Sequence, residues 1–491
     1  MNQHIKEGNI YGRLTLLIGL LNFAPLCVLP FYAEEAKYAY GFIVPGVIVT
    51  AAGVAVCRLA KPPEEKITEW QSPMQQGSLP VLFAWCLAFL TGAVPFVITG
   101  QLDFVHALFE SVSGWTTTGL SLVDVTRAPR VMLFHRSFMQ YCGGLGFILI
   151  ILILVQGKQA MNLYNAEGHS DRLMPNLKKT VRTIFLLYNG FLVIGVALYY
   201  VFGMSLFDAV CHAMSALSTA GFSTRQAGIG HYNSFPIEMV TIVLMLVGST
   251  NFAVLMLLSR FEIRKILRVT EVRFLAGLIL IFVPLIALSL MRHKDMGLLE
   301  SLHNSLFGVV AAFSTTGYSI TNYYTWPPFA LGLIFLLMFV GGGTGSTAGG
   351  LKLTRAYLIV RIGQEYVKKL FASSRSVTAP RFNKAQGPTP IDGALIADTA
   401  GFVACYMGIF TIGSLLITLT ENCTLLEAMF EFSSAFCTVG LTGGLTTVSS
   451  STWTYIIEMI GMTLGRLEIF IVFIGIHSFF MLIKKRCSLR R

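Results

Sequence analysis

Charged residues are scarce in this sequence. They make up 12% of its 491 residues, whereas hydrophobic residues make up 54%. The charged share is about half of what soluble domains carry. So few charges could not cover the water-facing surface of the roughly three soluble domains that the length alone would suggest. The composition therefore excludes a soluble multidomain protein and indicates a polytopic membrane protein.

Patterns for metal, redox or acid–base chemistry are also missing. The nine cysteines show no zinc or redox spacing, and Cys57, Cys86, Cys142 and Cys405 lie in apolar runs, so we interpret them as packing residues in a reducing environment. Histidines occur near several short apolar stretches, but no carboxylate–histidine set recurs. A membrane-embedded enzyme is therefore disfavoured, and no organic cofactor is expected.

Long apolar runs are what the sequence does contain. A helix needs about 20 apolar residues to cross the hydrocarbon core. The first run is too long for the apolar core of a signal peptide, so we expect it to be retained as a helix. Ten candidate spans result, at 14–33, 39–57, 79–100, 137–156, 183–203, 236–259, 274–291, 329–360, 394–418 and 453–483.

The basic residues are distributed unevenly between the two faces of these spans. If both ends lie on one side, 28 of the 36 Lys and Arg residues fall on that side and six on the other. Because basic residues accumulate in cytoplasmic connections, both termini are predicted to be cytoplasmic. The net charge of +11 then needs no nucleic acid to explain it.

Four connections on the opposite face repeat one pattern. Each begins with an apolar stretch too short to span a bilayer and ends in a Thr/Ser-rich tetrapeptide that closes with glycine. A Thr lies two positions before the glycine in every copy, and such internal repetition is stronger evidence than any single motif. The segments are LFESVSGWTTTG (108–119), VCHAMSALSTAG (210–221), LFGVVAAFSTTG (306–317) and MFEFSSAFCTVG (429–440).

The repetition predicts an all-α fold of four helix–pore-loop–helix units around one central pore. Non-helical backbone at membrane depth survives only where protein or a water cavity covers it. A ring of carbonyl oxygens replaces the hydration shell of a monovalent cation, and the negative ends of the short helices would favour a cation there. The predicted divisions are two N-terminal helices (1–78) and four repeats at 79–180, 181–270, 271–391 and 392–491.

The repeat has other possible interpretations. One copy alone would be interpreted as a helix stop followed by a surface turn, but four copies, each between two spans on one side, argue against this. A secondary transporter for a different solute, built on inverted repeats, is disfavoured because all four copies run the same way. An ion-coupled transporter of another small cation or solute on the same scaffold stays open as the alternative.

At this point the chain resembles the Trk/Ktr/HKT superfamily of potassium transporters, and specifically the bacterial TrkH/TrkG type. The two leading spans favour this type. The stretches that carry the resemblance are SGWTTTGLS (113–121), RSFMQYCGGLG (136–146), LSTAGFST (217–224), FSTTGYS (313–319), GGGTGSTAGGLK (341–352), CTVGLT (437–442) and GRLEIF (465–470).

The resemblance implies potassium uptake, with or without a coupled ion, through filter carbonyls in the four loops. It also implies a bacterial inner-membrane homodimer with a cytosolic nucleotide-binding, TrkA-like regulatory subunit. Ala220 and Val439 depart from the Thr pattern, which leaves fine selectivity open. The implied potassium-binding residues are Thr116, Thr117, Thr118, Gly119, Ser218, Thr219, Ala220, Gly221, Ser314, Thr315, Thr316, Gly317, Cys437, Thr438, Val439 and Gly440.

A glycine-rich stretch at 341–350 interrupts the eighth span. Glycine in a helix costs about 1 kcal/mol, so this stretch is predicted to unwind. It is not a P-loop, because Leu351 occupies the position where that motif requires Lys. Close helix packing is one reading, and the resemblance implies another, an intramembrane gate formed by Gly341, Gly342, Gly343, Gly345, Gly349, Gly350 and Arg466.

Several charges have two readings each. Arg466 in the last span is either a buried structural ion-pair residue or a fixed positive charge that touches the gate and restrains leak. Arg136 is expected to snorkel or to brace the first pore loop. The basic connections 156–183 and 351–391 contact either lipid or the regulatory subunit. Acids in or near the short stretches either attract cations or cap helices, namely Glu110, Asp208, Glu300, Glu427 and Glu431.

Overall fold

The computed structural model describes residues 9–59, 73–146, 177–371 and 380–488. Helices dominate these ranges, which confirms the all-α polytopic fold. The second half of the predicted span 137–156 and most of the basic connection 156–183 lie outside the described residues.

The helices before the second repeat are Ile10–Leu21, Tyr40–Leu59, Pro73–Ile98, Phe104–Trp115 and Arg130–Leu145, with 3-10 turns at Ala24–Phe31 and Ala33–Tyr38. The second repeat contains Leu177–Val201, Leu206–Leu217, Phe235–Ser249, Phe252–Ser259 and Ile263–Ile266, with a 3-10 turn at Gly228–Tyr232. The third contains Thr270–Lys294, Leu298–Phe313, Pro328–Phe339 and Leu353–Phe371, with a 3-10 turn at Tyr323–Thr325. The fourth contains Gly393–Thr420, Leu425–Phe436, Thr452–Leu467 and Ile469–Ser488.

Six helical stretches in the described ranges are long and apolar enough to cross a membrane, and eight if two bent pairs each count as one span. Three of the six precede the first short helix. The first two pack closely through glycines, because a β-carbon on Gly19 would lie 2.5 Å from the backbone nitrogen of Thr50 and one on Gly53 would lie 2.5 Å from that of Leu16. This pair corresponds to the two extra helices predicted before the repeats.

The four repeats share one architecture. In each, a long helix packs against a short helix, a loop follows, and a third helix comes after the loop. The helix after the loop also packs against the short helix of the next repeat, and in the fourth repeat it packs against the short helix of the first. The repeats therefore form a closed ring with the short helices inside it.

Three predicted spans are not continuous helices: the break within 329–360 was predicted, whereas the breaks in two others correct the sequence-based prediction. The span 236–259 bends by 114° between Ser249 and Phe252, and the span 453–483 bends by 104° between Leu467 and Ile469. The first break frees the carbonyl of Ser249 to accept a hydrogen bond from Gly343. The second lies at Glu468, whose φ is +60°, an uncommon value for a residue other than glycine.

A small antiparallel hairpin in the linker 380–392 was not predicted. Strand Arg381–Lys384 pairs with strand Gly387–Pro390. Phe382 is buried against Leu358 and Ile391, and the backbone N–H of Asn383 donates to the Thr270 hydroxyl at 2.9 Å. The hairpin therefore attaches the linker to the first helix of the third repeat.

Candidate pore and gate

The four short helices end in the same way. In the first, the N–H of Thr117 donates to the carbonyl of Gly114 at 3.1 Å and that of Thr118 to the carbonyl of Ser113 at 2.9 Å, which is the Schellman arrangement. The corresponding pairs of bonds recur at Thr219 and Ala220, at Thr315 and Thr316, and at Thr438 and Val439. Each recurring threonine therefore stands where a Schellman motif usually has glycine.

The backbone of the loops is left-handed at alternate residues. The recurring threonines have φ between +53° and +56°, and the glycines two residues later have φ between +69° and +95°. A left-handed conformation costs a residue other than glycine about 1–2 kcal/mol, and for a β-branched residue it is an outlier. Four copies of this strain at equivalent positions indicate a functional geometry rather than an ordinary turn.

The loops close into a ring at their glycines. A β-carbon on Gly119 would lie 2.3 Å from the carbonyl oxygen of Ala220 in the second loop. The same relation holds from Gly221 to Thr316 O at 2.1 Å, from Gly317 to Val439 O at 1.9 Å, and from Gly440 to Thr118 O at 2.2 Å. Each glycine thus faces the next loop around one axis, and a side chain at any of them would require the neighbouring backbone to move.

The ring separates a wide side from a narrow one. Its glycines are half-buried, while the other twelve predicted filter residues are buried. Cavities of about 490 and 410 Å³ lie on the glycine side.

Asp124 lines the larger of these two cavities, and hydrogen bonds from the hydroxyl and N–H of Thr126 hold the pKa of the Asp124 carboxyl below its usual range. The cavity therefore carries a carboxylate at neutral pH.

The glycine-rich stretch lies on the other side of the ring, against the recurring threonines. The N–H of Gly349 donates to the Thr315 hydroxyl at 3.0 Å, and the Thr347 and Thr219 hydroxyls are 3.0 Å apart. A β-carbon on Gly349 would lie 2.0 Å from the Thr438 hydroxyl oxygen. The stretch therefore covers this end of the ring at close contact.

The stretch is unwound, as predicted, and it is also closely packed. The helix ends at Phe339 and resumes at Leu353. Between them, Gly341 N–H donates to Leu351 O at 2.8 Å and Gly343 N–H to Ser249 O at 2.8 Å. A β-carbon on Gly341 would lie 1.9 Å from Gly349 O. The predicted unwinding is therefore present, and the glycines allow backbone to approach backbone within the unwound stretch.

Arg466 connects this stretch to the first repeat. Its guanidinium donates to the carbonyls of Thr347 and Gly143, and to that of Gly144 at 3.2 Å. Glu468 pairs instead with Arg355, at 2.9 Å. Arg466, Gly144 and Gly345 line a cavity of about 40 Å³ on this side.

Arg136 braces two loops rather than reaching toward water. It is buried, its Nε lies 2.6 Å from the Glu110 carboxylate, and it donates to Ser121 Oγ at 2.6 Å and to Ser223 O at 3.2 Å. Glu110 also accepts from the N–H of Leu122 at 2.9 Å. Of the two readings, bracing of the first loop is the one that these contacts match, and they extend to the second loop.

The remaining acids divide between bracing and capping. Glu431 is buried and accepts from Gly443 N–H at 2.9 Å, while Asp208 accepts from Arg225 at 2.6 Å. Glu427 completes a capping box with Thr424, and Glu300 is exposed at the start of its short helix. Most of these carboxylates therefore hold loops or helix starts.

One position that the four repeats share, nine residues before each glycine, was not predicted from the sequence. It holds Glu110, His212, Gly308 and Glu431. All but Gly308 form a hydrogen bond with the residue two positions after the loop glycine: Glu110 with Ser121, His212 with Ser223 and Glu431 with Thr442. The alignment of the four segments contained this position, but its residue types differ too much for the pattern to be seen without coordinates.

Comparisons with known proteins agree with this architecture. The family model of TrkH, cation transport protein, matches residues 49–478. The Trk system potassium uptake protein TrkG of Escherichia coli is 29% identical, with 96% of this chain and 97% of the relative covered. TrkH of Halomonas elongata is 28% identical, with 94% and 96% covered. An uncharacterized cation transporter of Methanocaldococcus jannaschii is 28% identical, with 94% and 93% covered.

A solved structure shows the same fold. The crystal structure of the potassium transporter TrkH from Vibrio parahaemolyticus superposes with a TM-score of 0.83 at 25% identity and covers 96% of this chain and 98% of its own. The relatives are transport proteins and not enzymes. Since the family model matches most of its length, the chain belongs to the TrkH family of cation transport proteins.

Proposed function

We propose that the chain takes up potassium through a filter built from its four loops. The observation that carries this proposal is the closed ring, in which each loop glycine abuts the backbone of the next loop. In an extended strand, successive carbonyls point to opposite sides. Left-handed residues at alternate positions remove this alternation. Successive carbonyls of one loop are then able to face the axis and to replace water around a dehydrated cation.

The direction of the short helices supports a cation rather than an anion. All four end two residues before the recurring threonines, so the negative ends of their dipoles point into the ring. The hydroxyls of Thr117 and Thr438 are buried and have no hydrogen-bond partner within the described ranges. Buried hydroxyl oxygens without partners supply further ligands for an ion or its water.

We further propose that the stretch 341–350 and Arg466 form the gate. The stretch covers the threonine end of the ring, and Arg466 adds a positive charge bonded to Thr347 O. Movement of the stretch away from the threonines would open a path, whereas the contacts described above close it. A cation that leaves the ring would meet both the backbone of this stretch and the guanidinium.

We also propose a membrane location and partner proteins for the chain. We place the chain in the bacterial inner membrane with both termini in the cytoplasm, on the distribution of basic residues. Helix Leu353–Phe371 continues from the gate and exposes Tyr366, Leu370 and Phe371 beside the exposed Lys368. Apolar and basic side chains together fit a protein partner, and we propose a cytosolic nucleotide-binding subunit there and a homodimeric transporter.

Growth at low potassium tests the function. A bacterium that lacks its own potassium uptake should grow on micromolar to millimolar potassium when it carries the wild-type chain. Gly317→Ser should abolish this growth, or reduce potassium-over-sodium discrimination about tenfold, because φ of +69° and Val439 O leave no room for a side chain.

Gly332→Ser is the matched control, because this glycine lies in a helix of the same repeat with nothing near its missing β-carbon. It should grow like the wild type. Growth of the Gly317 variant equal to that of the control, with unchanged discrimination, would contradict the filter assignment.

A further inference from the structure

One polar side chain breaks the fourfold pattern behind the filter. The helix that follows the loop in each repeat packs against the short helix of the next repeat, and its eleventh residue is buried in all four. It is Met245, Met338 and Met462 in three repeats, and Gln140 in the first. A buried amide where the other repeats have a thioether needs hydrogen-bond partners.

Gln140 finds these partners on the second filter loop. Its Nε2 donates to the carbonyl of Ala220 at 2.7 Å, and its Oε1 accepts from Phe222 N–H at 3.2 Å and from the Ser215 hydroxyl. Ala220 O is the oxygen that faces Gly119 in the ring. Gln140 therefore contacts one of the carbonyls assigned to the filter.

The same loop lacks a brace that two other loops have. In the first loop the hydroxyls of Thr116 and Thr118 lie 2.8 Å apart, and in the third loop those of Ser314 and Thr316 lie 2.7 Å apart. Ala220 occupies the second of these positions in the second loop and has no hydroxyl. The bond from Gln140 stands in for this missing hydroxyl pair.

The fourth loop has a substitute of its own. Val439 also lacks a hydroxyl, and there the Tyr406 hydroxyl lies 3.0 Å from Cys437 Sγ. The first and third loops thus have a hydrogen bond between two of their own hydroxyls. The second and fourth loops instead bond a side chain of another helix, Gln140 and Tyr406 respectively. The departures of Ala220 and Val439 from the Thr pattern coincide with the two external contacts.

We propose that Gln140 is a positioning residue that sets ion selectivity by holding the Ala220 carbonyl in the ring. This inference rests on the proposed function. An amide donor engages one lone pair of the carbonyl oxygen, which lowers the field strength that this oxygen offers to the ion. The same hydrogen bond fixes the position of the oxygen, so that the ring does not contract around a smaller ion. Weak-field, spaced carbonyls favour potassium over sodium.

The test uses the full chain, purified and reconstituted into liposomes, with rubidium uptake measured against competing potassium or sodium. Gln140→Met copies the residue found in the other three repeats, so the packing volume is kept. We expect potassium-over-sodium discrimination to fall about tenfold, which corresponds to about 1.4 kcal/mol, with a smaller change in maximal uptake. Met338→Leu, an apolar swap at the equivalent position, should leave discrimination as in the wild type.

A second variant distinguishes loss of the Gln140 hydrogen bond from a general disturbance of packing. Gln140→Met combined with Ala220→Thr restores a hydroxyl pair with Ser218, as in the first and third loops, and should recover discrimination to within about twofold of the wild type. Unchanged discrimination in Gln140→Met overturns the proposal, as does a double variant no better than the single one. If the wild-type liposomes discriminate and the variants do not differ, this inference alone fails; if rubidium uptake by the wild type shows no preference between potassium and sodium as competitors, the proposed function fails.

Discussion

Arg466→Ala should raise the resting cation flux through this chain by at least about tenfold. The guanidinium lies on the threonine side of the ring and bonds the carbonyls of Thr347 and Gly143. A unit charge a few ångströms from a permeating cation changes its energy by a few kcal/mol at an effective dielectric constant of about 20. Each 1.4 kcal/mol is about tenfold in rate. Rubidium leak into liposomes, measured without any activating partner, checks the prediction.

Arg466→Lys separates charge from hydrogen bonding. Lysine keeps the positive charge but cannot reproduce the forked contacts of the guanidinium to two carbonyls. If the charge restrains leak, the lysine variant should stay close to the wild type. A leak equal to that of the alanine variant would assign Arg466 a structural role, and no leak in either variant would remove it from the gate.

The second large effect is expected at the buried ion pair of the first repeat. Arg136→Leu leaves the Glu110 carboxylate buried at 0% exposure without its partner 2.6 Å away. Breaking such a pair costs about 3–5 kcal/mol. We expect a clearly lower melting temperature in detergent and loss of uptake, since the pair also holds Ser121 and Ser223 beside the ring.

The double variant Glu110→Leu with Arg136→Leu should recover part of the lost stability, because no buried charge remains. Arg127→Leu serves as the control, since Arg127 is 89% exposed and pairs with Asp124 only at the surface. A single Arg136 variant as stable as this control would show that the pair does not hold the loops.

The ring of repeats could be predicted from the sequence because its elements carry local patterns. Four Thr-x-Gly segments, each after a short apolar stretch, indicated the short helices and their shared end. The bends at Ser249 and Glu468 were not predicted, because the single glycines before them, Gly248 and Gly465, are of a kind that membrane helices often contain. At the bends the chain contacts the stretch 341–350 and Arg355, which are distant in sequence.

The network behind the loops was equally hidden. Gln140 lies in a helix whose sequence does not show which loop it faces, and its partners are about 80 residues away in the chain. Arg136 was recognised as unusual, yet its bridge to Ser223 depends on the first repeat packing against the second. Such contacts are set by tertiary packing, on which a single sequence carries little information.

In the proposed filter, backbone oxygens of the four loops surround one cation. Anomalous diffraction from crystals of this protein grown in rubidium or thallium in place of potassium measures this directly. We expect a peak on the axis of the ring, between the levels of Thr117 and Gly119 and equidistant from the matching residues of the other loops. Anomalous density that lies only outside the ring, or none on its axis at saturating ion concentration, would contradict it.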